Sequence, residues 1–93
     1  MMSDRIERIK ERLQTIIKPV HLELLDESYK HAGHAGARQG GGHFDLLIIS
    51  TVFVGQNAMQ RHRMIYTALG DFIPADIHAL SIKAYTPEEY PLN

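Results

Sequence analysis

The sequence predicts an α+β fold of order α-β-β-α-β(-α): a three-stranded mixed sheet with its helices on one face. Three observations carry this reading. Apolar residues recur at helical spacing over residues 4–17 and again after Asn57. They alternate at strand spacing over 20–26 and 78–85. Between these lies FDLLIISTVF, residues 44–53, a nearly continuous apolar run with β-branched members. Such a run reads as a central strand covered on much of both faces.

In the first helix, Ile6, Ile9, Leu13, Ile16 and Ile17 fall on one face. Asp4 with Glu7 three residues on resembles a capping box, and Pro19 ends the helix. In the first strand, Val20, Leu22 and Leu24 alternate with His21 and Glu23. Residues 28–43 read as a long loop rich in Gly, Ala and His, a length that in a small domain marks function or disorder. Gly55 breaks the run after the second strand. Asn57 with Gln60 predicts the cap of a second helix, with Ala58, His62, Ile65, Tyr66 and Leu69 as its apolar stripe and Gly70 as its stop. Phe72-Ile73-Pro74 suggests a short packed turn. The third strand sets His78, Leu80, Ile82 and Ala84 against Ala79, Ser81, Lys83 and Tyr85. Thr86 as cap with Pro87 following opens a short last helix or turn. The first two strands can pair antiparallel through the histidine loop, whereas the third returns after a helical crossover.

Composition narrows the function. The 93 residues make one domain, 1–93, with 44% apolar and 23% charged content, ordinary for a soluble globular chain. A formal charge of −1 makes the whole molecule no magnet for nucleic acid or acidic membranes. No apolar run approaches a membrane span, and the charged N-terminus lacks an apolar signal region, so a cytoplasmic protein without membrane association, or one stripped of its targeting segment, is expected. Ser28 has no base at motif spacing, and Gly40-Gly41-Gly42 lacks the Lys-Ser/Thr of a phosphate loop. Enzyme chemistry is therefore not expected.

Six histidines and no cysteine remain. His31, His34, His43 and His78 sit in or beside loops. Histidine is the commonest metal ligand, and glycines let a loop gather such side chains at little steric cost. The i, i+3 spacing of His31 and His34 fits metal ligation, although spacing alone favours a solvated polar loop, since loop histidines are common on surfaces. His78, opening a strand, is a ligand or a polar cap on the core edge. His62, on the apolar stripe of the second helix, reads as a structural histidine satisfied inside the core. Arg61 and Arg63 point off that stripe in a stretch without acids, a basic patch able to meet phosphate or simply a solvated helix face. With no thiol, a metal site here is either all-nitrogen, such as zinc on His31, His34 and His78, or completed by another molecule's sulfur.

Asp26-Glu27-Ser28, His31-Ala32-Gly33-His34, His43-Phe44, Ile49-Ser50, Phe53-Val54-Gly55, Arg61-His62-Arg63, His78-Ala79-Leu80-Ser81 and Thr86-Pro87-Glu88 occur here in the order seen in BolA-like proteins. The resemblance runs from the first helix to about Glu89. It implies a core similar to the type II KH domain, and a monothiol glutaredoxin as partner, with or without a shared [2Fe-2S] cluster. It places the family's ligand histidine at His78. The second ligand would come from the loop, where His31 matches the family position and His34 competes. The family is also described as regulating transcription by binding DNA through the segment after the second strand and its following helix, here Phe53 to Arg63. Gly55, Asn57, Arg61 and Arg63 are then the contact candidates. Gly55-Gln56-Asn57-Ala58 is not a GxxG loop, a departure from KH-style single-strand binding.

The donor chemistry agrees with a shared cluster. A glutaredoxin with glutathione offers two thiolates, and this chain offers two imidazoles. Imidazole in place of thiolate on one iron raises the reduction potential, as in Rieske centres, and ties ligation to deprotonation. The expected role is an adaptor in iron–sulfur trafficking or iron regulation. DNA is the alternative partner, and the isolated chain is expected as a monomer or weak dimer.

Overall fold

A computed structural model of the chain describes residues 4–27, 42–73 and 77–90. Their order is α1 (Asp4–Ile16), β1 (His21–Asp26), β2 (Gly42–Ile49), a 3₁₀ turn (Thr51–Phe53), α2 (Ala58–Leu69), a second 3₁₀ turn (Gly70–Phe72) and β3 (Ile77–Tyr85). The sheet is ordered β1-β2-β3. β1 pairs antiparallel with β2, and β2 pairs parallel with β3, the pairing that a crossover through α2 produces.

The α1 stripe buries Ile9, Leu13 and Ile17 and half-buries Ile6. Ile16, expected on that stripe, is instead 52% exposed. The helix closes where the amides of Ile17 and Lys18 both donate to Leu13 O, with Lys18 left-handed at φ 56° ahead of Pro19. β1 begins one residue later than expected, although Val20 N still donates to Ile49 O at 2.8 Å.

The apolar run 44–53 is not one strand. β2 stops at Ile49 because the Ser50 hydroxyl accepts from Val52 N at 3.2 Å and donates to Ile17 O at 3.1 Å. A serine that satisfies local backbone groups turns the chain out of the ladder. The turn that follows drives Phe53 into the core, where it is wholly buried.

Asn57 and Gln60 form the full capping box on α2, and Gly70 closes the helix at φ 48°. Its buried face is rotated from the expected one. Ile65, Ala68 and Leu69 are buried and Met64 is half-buried, whereas Ala58, His62 and Tyr66 are exposed. The cause is Arg61, whose side chain is only 12% exposed and occupies the inner face one turn before Met64 and Ile65. His62 is thereby turned to solvent, so its reading as a core histidine is corrected.

The two helices cover one sheet face, where Leu22, Leu24, Phe44, Leu46, Ile48, Leu80, Ile82 and Ala84 meet them. The other face carries exposed Glu23, Leu25, Asp45 and Lys83. After β3, residues 86–90 form a turn rather than a helix. Thr86 and Glu89 cap one another there, Glu89 N donating to Thr86 Oγ1 and Thr86 N to Glu89 Oε1.

Candidate functional site

Parallel pairing sets the site. Gly42 lies opposite Ile77 and His43 opposite Ala79, so the register skips His78. Such a skip at the start of a strand is a β-bulge, which lets Ile77 enter the core (1% exposed) while Leu80, Ile82 and Ala84 keep their inward phase. At the same end, Glu27 N donates to His43 O at 2.7 Å and closes the β1–β2 ladder. The 28–41 segment therefore leaves the sheet at Glu27 and rejoins it at Gly42, beside the backbone of His78.

Packing holds this corner firmly. Gly42 is buried against the Phe44 ring and the Arg5 guanidinium, and a Cβ there would lie 2.7 Å from the ring edge and 2.8 Å from Nη1. A cavity of about 350 Å³ opens at this end, lined by Glu27, His43, Asp45, Ala79 and Ser81 among others. His43, given no role by the sequence reading, is half-buried in its wall. The signal for it was its position directly before Phe44, which the core must take.

His31 and His34 lie outside the described residues, as does the side chain of His78. Among the described residues, no group of three or more His, Asp or Glu side chains converges as a metal site.

The basic segment resolves residue by residue. Gly55 takes φ 79°, a left-handed turn that glycine accepts freely. The side chain and backbone of Asn57 are both engaged in the capping box. Arg61 is a structural clamp: Nε donates to Gln56 O at 2.7 Å, Nη1 to Ala84 O at 3.0 Å and to Glu89 Oε1 at 2.7 Å, and Nη2 to Glu89 Oε2 at 3.1 Å. Its reading as a phosphate-facing cation off the stripe is corrected, because four of its five N–H donors are engaged inside the fold. Hydrogen bonding to Arg61, then to the Thr86 backbone, lowers the Glu89 carboxyl from the ordinary 4.5 to about 2. Arg63 is exposed, as expected.

The family model for BolA-like protein matches residues 13–89. The chain belongs to the BolA family. Its BolA domain is 41% identical to protein BOLA1, chloroplastic, of Arabidopsis thaliana, over 97% of this chain and 58% of that protein. It is 40% identical to the DNA-binding transcriptional regulator BolA of Escherichia coli strain K12, over 90% of this chain and 77% of that one. It is also 47% identical to SufE-like protein 1 of Arabidopsis thaliana, but spans only 24% of that longer protein. Among solved structures, the BolA domain superposes on BolA1 from Arabidopsis thaliana with a TM-score of 0.83, covering 98% of this chain and all of the other. No helix among the described residues is long and apolar enough to cross a membrane.

Proposed function

We propose that this BolA-family chain is an adaptor that binds a monothiol glutaredoxin and shares a [2Fe-2S] cluster with it, in iron–sulfur trafficking or iron regulation. One observation carries the reading. The segment holding His31 and His34 is anchored at Glu27 and Gly42, and Gly42 pairs with the residue before His78. The backbone of His78 and the two described ends of that segment thus share one end of the sheet.

The donor set fits half of such a site. With six histidines and no cysteine, the soft ligands must come from the partner, and imidazoles supply the other iron, as in mixed histidine–thiolate clusters. His78 and either His31 or His34 would hold the group from this side. When bound, the group supplies one-electron redox chemistry and an iron–sulfur unit that can be handed on. The chain's own contribution is orientation: the ladder closure at Glu27 and the packing of Gly42 fix where the loop begins and ends.

The test is a titration of this chain into cluster-loaded monothiol glutaredoxin, followed by visible absorption and circular dichroism. A new spectrum at one-to-one stoichiometry is expected, and an unchanged spectrum contradicts the reading.

A second reading, DNA-binding regulation, is favoured by the name of the Escherichia coli relative and by exposed Arg63 on α2. Mobility shifts that weaken with salt and with Arg63→Ala are expected from it. Insensitivity to both removes it.

A further inference from the structure

The end of the molecule opposite His78 carries a second surface. β2 runs from Gly42 to Ile49, roughly 23 Å at strand rise, and at its far end Ser50 fastens Ile17, the residue closing α1. There an open groove of about 520 Å³ lies between the end of α1, the first 3₁₀ turn and α2. Ile16, Val52, Met64 and Ala68 line it together with Gln60 and Arg63. Ile16 is 52% exposed and Val52 40% exposed, apolar surface left uncovered next to a cavity.

Charge selects the occupant. Residues 51–70 contain no Asp or Glu. Within them, Arg61 is neutralised by Glu89, which leaves Arg63 as the exposed arginine of the lobe. The groove lies between helices and offers no free strand edge, so an extended peptide has no ladder to join. A nucleic acid would need several cations along its path, and among the described residues Arg63 is the one cation in the lining. A second copy supplies no match: α2 carries no acid, and the acids of α1 lie on a helix whose Ile9 and Leu13 are buried in its own core. We infer that this groove receives an amphipathic helix of a partner protein, its apolar face on Ile16, Val52 and Met64 and an acidic side chain on Arg63. The mode is helix-in-groove recognition. It does not depend on the cluster reading, since it uses the opposite end of the fold.

The test uses the full chain and two synthetic peptides of about 16 residues, long enough to sustain helix. Both carry leucines on one face; one is flanked by glutamates and the other by lysines. Amide shifts are followed by NMR. The acidic peptide is expected to move Ile16, Val52, Met64 and Thr67 and to bind roughly fivefold more tightly than the basic one, about 1 kcal/mol, the upper range for an exposed ion pair. Arg63→Glu, an exposed substitution that leaves the core intact, is expected to invert that preference, whereas His78→Ala leaves it unchanged. Charge-blind binding, or shifts centred elsewhere, overturns the inference. So do groove shifts on concentrating the chain alone, and groove shifts caused by duplex DNA but not by the acidic peptide.

Discussion

Arg61 and Glu89 form a two-pronged ion pair, at 2.7 and 3.1 Å, that fastens α2 to the turn after β3. The same guanidinium holds Ala84 O on the outer edge of β3 and Gln56 O ahead of the helix. Its ring neighbour is Phe53, with Cζ 5.9 Å from the centroid. One side chain thus joins the chain leaving β2, the crossover helix and the last strand.

Arg61→Ala is therefore expected to destabilise the fold by roughly 1–2 kcal/mol, through two backbone carbonyls left without their donor. His62→Ala, one residue on and exposed, is expected to stay within about 0.5 kcal/mol of wild type. Urea unfolding of the two variants checks the orientation of α2. Equal losses would contradict it.

Acid should release this clamp. Glu89 is lowered from 4.5 to about 2 in the fold, and a carboxyl depressed by folding stabilises above its unfolded value and loses that effect as pH falls towards its folded one. The stability gap between wild type and Glu89→Gln is thus expected to be full above about pH 5 and to close between roughly pH 4.5 and 2. Unfolding curves of both proteins across that range read it directly. A gap independent of pH contradicts the assignment.

Gly42→Ala is expected to cost about 1–3 kcal/mol by overpacking. Arg5 can swing aside, but the Phe44 ring, 2% exposed, cannot. Thermal unfolding should show a clear drop in Tm, and amide shifts should concentrate at 27, 43 and 77–79. A neutral substitution would contradict the close packing at this corner.

Much of the fold was legible because local chemistry and tertiary need agree. Asn57, Gln60 and Gly70 bound α2 by capping alone, and Thr86 with Pro87 marks the last turn. The misreadings have physical causes. Ser50 ended β2 inside an apolar run, because its hydroxyl serves two backbone groups that hydropathy does not count. Arg61 was assigned to solvent, although its buried charge is balanced by Glu89, 28 residues away and invisible to a periodic pattern. Once Arg61 turns inward, His62 must turn out. Of the candidate site, His78 was legible as lying at the start of the third strand, which in fact opens one residue earlier at Ile77, but the register shift that skips it arises only from pairing with Gly42. His31 and His34 fall outside the described residues.

The central claim is that His78 ligates a cluster shared with a monothiol glutaredoxin. The direct measurement is visible circular dichroism of cluster-loaded glutaredoxin mixed with wild-type chain, His78→Ala, His31→Ala or His34→Ala, each variant first shown folded by far-ultraviolet spectra. Wild type is expected to reshape the spectrum, His78→Ala to abolish that change, and one of the two loop variants to do the same. A His78→Ala spectrum identical to that of wild type would contradict the account.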